Sequence, residues 1–371
     1  MKNYFKLLFL LTGFFTFVFM GTSCDPDTNT GNPTEREIIE ITDDITSATT
    51  WSGKNLYVIN KYDFTVESTL TIEEGAIIKF NTSALNISVL GNGKIIANGT
   101  SSNPIIFTSY YDDANGGKVS TDQSATTPKA GDWNTIELRA VQGSEFSYCK
   151  FLYGGKNNLG RSAPTLSLTS DAYATINNCT FAYNGGVMDN STYVGALHAA
   201  GAGSNSIIRN NIFYDNVLPL TINCNINLDN SNSFTKNGTN VMNGIFVSGV
   251  NINNNIEWKE DEVAFVLTST TTNIPSGKTL TLGDNVVLKF IKNGVLNLGA
   301  GANSLRNYNG EGVWFTSIKD DNLKGDTNGD GSSSSPATAD WTGIFLDESA
   351  KNIGYADWTN IKYNDPNAIV K

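Results

Sequence analysis

From Trp51 onward, apolar side chains alternate with polar ones over short runs: Leu70, Ile72, Ile77, Phe80, Leu85, Ile87, Val89, Ile95, Ile105 and Phe107 mark the apolar beats. A period of two predicts half-buried strands, and the Gly and Asn residues between the runs predict the turns that join them. No segment sustains the 3.6-residue period of an amphipathic helix. The expected fold class is therefore all-β.

The same string of strands occurs twice. Leu70-Thr71-Ile72-Glu73-Glu74-Gly75-Ala76-Ile77-Ile78-Lys79-Phe80 returns as Leu280-Thr281-Leu282-Gly283-Asp284-Asn285-Val286-Val287-Leu288-Lys289-Phe290, 210 positions later. Phe107-Thr108-Ser109 followed by Asp112-Asp113 returns as Phe315-Thr316-Ser317 followed by Asp320-Asp321, and Asp132-Trp133 returns as Asp340-Trp341. Duplicated short strands separated by turns predict a solenoid. The chain divides into a first copy over 51–155, middle coils over 156–257 and a second copy over 258–371, within a solenoid starting at residue 38.

The middle coils carry a looser repeat ending in Phe151, Phe181, Phe213 and Phe234, spaced by 30, 32 and 21 residues. One coil of a parallel β-helix takes about that many residues, and successive coils stack about 4.8 Å apart. A ladder of phenylalanines inside the helix is expected. Gly154, Asn184, Asn216 and Asn237 stand three positions after each Phe, and as residues that tolerate positive φ they are expected to turn the chain. Cys149 and Cys179 fall at equivalent places on neighbouring coils, which leaves stacked free thiols, the favoured state, or a bridge.

The N-terminal end suggests export. Lys2 and Lys6 precede an apolar run, Leu7 to Met20, too short to span a bilayer, so residues 1–23 read as a signal peptide. Gly21-Thr22-Ser23-Cys24 resembles the lipobox at which bacterial lipoproteins are cleaved and acylated, which makes Cys24 the lipid attachment site. Residues 24–37 are the flexible tether. Asp25 fits either inner-membrane retention or surface export; the outer membrane, with the folded part facing outward, is the favoured location. Removing residues 1–23 moves the formal net charge from −11 to −13, because that stretch holds two lysines and no acid. An acidic exported protein is a poor partner for nucleic acid, and its membrane contact is expected only through the lipid.

The blocks at 70–80, Ile95-Ile96-Ala97-Asn98-Gly99-Thr100, Pro104-Ile105-Ile106-Phe107-Thr108-Ser109, Gly131-Asp132-Trp133 and the Asn-Asn-Cys-Thr-Phe coil resemble right-handed parallel β-helix proteins of the pectin-lyase-like superfold. Within that superfold they are similar to a group of surface-anchored lipoproteins. The resemblance implies a right-handed parallel β-helix with an internal duplication. It does not choose a function, because the superfold hosts lyases, hydrolases, adhesins and inactive proteins.

Chemistry is sparse along the chain. Asp326-Thr327-Asn328-Gly329-Asp330-Gly331-Ser332 has the alternating oxygen ligands of the first half of a calcium loop, but the twelfth position is Ala337 rather than an acid. Asp326, Asn328, Asp330 and Ser332, with Asp320 and Asp321, are the candidate ligands for a single calcium ion. The corresponding insertion in the first copy, 110–130, lacks the spacing. The duplicated Asp-Trp pairs read as turn closure and strand capping rather than catalysis. Asp215, Asp229, Lys236, Lys156 and Arg161 are the charges available to a lyase or glycosidase, without a constellation. His198 is the chain's one histidine and has no nucleophile elbow beside it. Tyr153, Tyr183, Tyr193 and Tyr214 are the candidate ligand-binding aromatics, expected to offer flat faces to sugar rings. The function expected from the sequence is non-catalytic binding of an extracellular polysaccharide or surface protein; the alternative is a polysaccharide lyase or glycoside hydrolase on the same scaffold.

Overall fold

The alternation folds into stacked parallel strands with no helix among the described residues. The computed structural model describes residues 36–81, 85–119, 127–156, 159, 161–189, 192–347 and 353–367. The signal peptide, Cys24 and nearly all of the tether lie outside these residues.

Three sheets form the walls of the solenoid. A seven-stranded sheet runs from Ile38–Ile41 to Ile212–Tyr214, a ten-stranded sheet from Phe64–Val66 to Trp314–Ser317, and a six-stranded sheet from Thr49–Trp51 to Ile207–Arg209. A three-stranded and a four-stranded sheet complete the later coils. Each strand pairs in parallel with the strand one coil away, for example Ile77↔Ile106 and Phe151↔Phe181. Antiparallel strand pairs occur in the Val187–Asp189/Thr192–Val194 hairpin and where Gly343–Asp347 meets Ile353–Tyr355.

The interior is a set of ladders. Phe107, Phe151, Phe181, Phe213 and Phe234 stack face to face with centroids 5.1, 4.7, 5.1 and 5.1 Å apart, which is the coil spacing itself. Phe107 extends the expected ladder by one coil. Cys149 and Cys179 are buried free thiols.

The expected turn role of Gly154, Asn184 and Asn216 is wrong. Positive φ belongs to the residue before each of them, at Tyr153 (64°), Tyr183 (59°) and Asp215 (53°). Asn184 and Asn216 are instead fully buried and continue inward with Asn240 as an amide ladder. Asn184 Nδ2 donates to Asn216 Oδ1 and to the Phe151 carbonyl, both at 2.9 Å. Asn216 Nδ2 repeats this with Asn240 Oδ1 and the Phe181 carbonyl, also at 2.9 Å. A corner that pulls backbone carbonyls inward needs a side chain with both donor and acceptor, and only an amide of this length supplies both. Exposed Asn237 takes no part; Asn240 holds its place in the ladder.

The two copies sit on different walls of the solenoid. Ile77–Phe80 and Ile105–Ser109 belong to the seven-stranded sheet, whereas their counterparts Val287–Phe290 and Trp314–Ser317 belong to the ten-stranded one. The change falls in the short coil between Phe213 and Phe234, where Ser233 makes the last bridge of the seven-stranded wall, to Ile212.

Candidate functional site

Each copy carries a long insertion after its Phe-Thr-Ser strand, and each insertion is fastened over the outer face of a sheet by a buried lysine. Lys79 Nζ donates to the carbonyls of Asp112 and Gly117, both at 2.7 Å. Lys289 Nζ donates to the Gly325 carbonyl at 2.8 Å and to Thr327 Oγ1 at 3.1 Å. Burial lowers both ammonium groups, Lys289 to about 8, against the pull of nearby acids. These lysines were legible only as a Lys inside an apolar strand at the same place in both copies. Thr108 Oγ1 to Asp112 Oδ2 (2.6 Å) and Thr316 Oγ1 to Asp320 Oδ2 (2.7 Å) brace the start of each insertion.

The duplicated Asp-Trp pairs are structural. Asp132 Oδ2 accepts from Ser109 Oγ (2.7 Å) and the Lys129 amide (3.0 Å), and Asp340 Oδ2 accepts from Ser317 Oγ and the Ala337 amide, both at 2.9 Å. Trp133 lies flat on Phe80 at 4.1 Å and Trp341 on Phe290 at 4.0 Å. Carboxylates engaged in closing turns are not free to act as acids or bases on a substrate.

In the second insertion, one carboxylate oxygen from each of Asp321, Asp326 and Asp330 lies within 4.8 Å of the other two. Asp326 is held by the amides of Gly329 and Gly331, both at 2.7 Å. Asp330 Oδ2 accepts from Asn328 Nδ2 at 2.7 Å and from the Ser334 hydroxyl. Asp321 Oδ1 and Asn328 Oδ1 are buried without hydrogen-bond partners. Burial and then repulsion from Asp326 raise the Asp321 carboxyl above its ordinary value. Asp320 and Ser332 stand apart from this group: Asp320 Oδ2 accepts from Thr316 Oγ1 while its Oδ1 is buried without a partner, and Ser332 is exposed while Ser334 lies beside Asp330. The turn from Asp330 to Ser333 brings residue 334, not 332, back over the carboxylate.

Three of the four candidate tyrosines come together. Tyr153 and Tyr183 stack at 5.3 Å with planes 12° apart, and Tyr214 meets Tyr183 edge-on at 5.5 Å. The left-handed backbone at Tyr153 and Tyr183 points these side chains outward at one corner of successive coils. Tyr193 is elsewhere: 9% exposed, it stacks on Phe246 at 4.7 Å among Leu218, Met242 and Val266. Tyr153 and Tyr183 turn one face each to the other, whereas Tyr214 stands edge-on to Tyr183. Burial raises the phenols of Tyr153 and Tyr214, the latter to about 12, so both stay neutral donors at physiological pH.

Among the described residues no ion pair joins Asp215 or Asp229 to Lys156 or Lys236. His198 stands between Ser167 and Thr221 in the ten-stranded sheet, with Nδ1 unpartnered and its pKa lowered to about 4 by burial.

The family model for the pectate-lyase like beta helix domain matches residues 43–162. This is a pectin-lyase-like parallel β-helix. No match to a curated protein or to a solved structure reaches significance. The matched stretch includes the first insertion and the start of the phenylalanine ladder; the pectin-lyase-like architecture continues beyond it, through the ten-stranded sheet, to Trp314–Ser317.

Proposed function

We propose that this β-helix is anchored by a lipid on Cys24 to the outer membrane, faces outward, and binds an extracellular glycan or partner surface without turning it over. The observation that carries the reading is the column Tyr153–Tyr183–Tyr214, set at the coil spacing on one corner of a rigid solenoid. A repeating row of phenol donors matches a repeating polymer, because successive units meet equivalent groups. Tyr183, at 38% exposed, is the most accessible of the three.

The same reading assigns one calcium ion to Asp321, Asp326 and Asp330, with the amide oxygen of Asn328. Hard cations take carboxylate and carbonyl oxygens at about 2.3–2.6 Å, and oxygens grouped within 4.8 Å can share one ion. The ion would relieve the mutual repulsion of these acids and stiffen the second insertion.

The test is retention of the full chain, purified in detergent, on immobilised acidic and neutral polysaccharides with calcium or chelator, while polymer length is followed in solution. Retention that weakens in Tyr183→Ala and Tyr214→Ala, with polymer length unchanged, supports the reading. Shortening of any polymer, or new unsaturated chain ends, would overturn its non-catalytic part.

A further inference from the structure

The inward-facing amides do not stop at Asn240. Asn184 Nδ2 donates to Asn216 Oδ1 and Asn216 Nδ2 to Asn240 Oδ1, both at 2.9 Å, and Asn240 Nδ2 donates in turn to Asn243 Oδ1 at 2.8 Å. The Asn243 amide then donates to the carbonyl of Asp326, in the second insertion, at 3.2 Å. At the opposite end Asn184 Oδ1 accepts the Gly154 amide at 2.9 Å, and the Gly154 carbonyl accepts the amide of Gly131, just past the first insertion, at 3.2 Å. One row of hydrogen-bonded residues therefore runs from the foot of one insertion to the other.

The second insertion is seated on the stretch that carries Asn243. Gly329 lies so close to buried Met242 that a Cβ added there would stand 2.7 Å from Met242 Cγ, and Met242 packs in one cluster with Ile318. Lys289 holds the Gly325 carbonyl from the sheet, and Lys324 reaches back to the Asp261 carbonyl. The tyrosines belong to the other end of the same row. Tyr153 and Tyr183 immediately precede Gly154 and Asn184, whose amides are held by the side-chain oxygens of Asn184 and Asn216. Tyr214 stands two residues before Asn216, whose amide is held by Asn240 Oδ1 at 3.2 Å. Hydrogen bonds that run in one direction polarise one another, so the row responds as a unit.

We propose that the amide ladder couples the second insertion to the tyrosine corner, so that loosening the insertion loosens the corner and a ligand held by either is felt at the other. Asn243 is the joint: its amide is fixed by the insertion, and its side-chain oxygen receives the end of the ladder. When the insertion lifts, Asn240, 5% exposed, loses an oriented acceptor. A buried donor does not stay unmatched, so the Asn240 side chain re-aims and takes its oxygen away from Asn216. The amide of Asn216 and then that of Asn184 lose their fixed acceptors in the same way. The effect is reciprocal, because a coupling free energy between two sites acts equally in both directions. It is a property of the fold and depends neither on what the tyrosines bind nor on calcium.

Hydrogen exchange of the full chain, purified in detergent, tests this. Lys289→Met removes the donor to the Gly325 carbonyl and is expected to speed exchange at the Asn184 and Asn216 amides by at least about fivefold, together with exchange across 326–331. The strand Lys94–Asn98, in the six-stranded sheet, should keep its parent rate. Gly329→Ala, which drives a methyl against Met242, unseats the insertion from its own side and should give the same pattern. In Asn243→Ala, at a half-buried position, the joint is gone. Adding Lys289→Met to that variant should leave Asn184 and Asn216 at the rates of Asn243→Ala alone. Unchanged exchange at Asn184 and Asn216 in Lys289→Met and Gly329→Ala, equal acceleration at Lys94–Asn98, or a further acceleration in the double variant would overturn the proposal.

Discussion

Lys79 and Lys289 are sequence equivalents, both fully buried, yet they stand in different sheets of one solenoid and each ties down the insertion of its own copy. The module that was duplicated is therefore strand, lysine and insertion together, and it works on whichever wall carries it. Replacing Lys79 by Met should leave the Asp112 and Gly117 carbonyls without their donor. The expected cost is about 1–3 kcal/mol, confined to the insertion. Limited proteolysis should then cut within 110–130 faster than in the parent chain, while the thermal midpoint moves little; cutting elsewhere first would contradict the anchoring role.

Asn216 and Asn237 looked equivalent in the sequence and are opposites in the fold. Asn216→Leu removes an amide that serves Asn184, the Phe181 carbonyl and Asn240, and should cost at least about 3 kcal/mol. Asn237→Leu, on the surface, should stay within about 0.5 kcal/mol. Urea unfolding of the two variants side by side decides the matter, and similar midpoints would refute the ladder's importance.

Glu260 brings a pH dependence. Its Oε1 accepts from the amides of Asp261 and Glu262, its Oε2 is buried without a partner, and burial pushes the carboxyl up to about 8 from an ordinary 4.5. Between those values the folded state holds a proton that the unfolded state has lost. The group's contribution is thus fully present below 4.5 and disappears as pH rises through 8. Glu260→Gln should match the parent at pH near 4 and exceed it by a few kcal/mol, in order of magnitude, near pH 9. A gap between the two proteins that does not change with pH would show that Glu260 does not titrate in this window.

Calcium should bind once. Titration calorimetry is expected to return a single site lost in Asp326→Asn, and chelator should lower the melting temperature of the parent alone. In the first insertion Asp112 is committed to Thr108 and Asn115. Two sites of equal affinity would contradict the assignment.

The thiols of Cys149 and Cys179 are 1% and 0% exposed, and burial raises the Cys149 thiol well above its ordinary value. Neither should react with a water-soluble thiol reagent until the chain is unfolded. Fast labelling of the native protein at either position would mean that the ladder opens.

Much of this was written in the order of residues. Period-two alternation, the turn residues and the 30- and 32-residue spacings of Phe151, Phe181 and Phe213 determined strands, coils and an aromatic ladder, because stacking at one strand spacing forces equivalent side chains together. Asp132-Trp133 and Asp340-Trp341 declared their structural role by recurring at the same step. What depended on the tertiary structure was whatever lies between coils. Tyr193 left the tyrosine column because its hairpin folds over a different sheet, and Asn184 turned inward because the corner's carbonyls needed donors there. Ser334 replaced Ser332 beside Asp330 through one turn of backbone. The six-stranded wall stops at Ile207–Arg209, and pairing resumes in another sheet between Leu228 and Trp258. A local pattern specifies which way a side chain faces along its own strand; which groups meet across coils is settled by how the coils stack, and no residue carries that by itself.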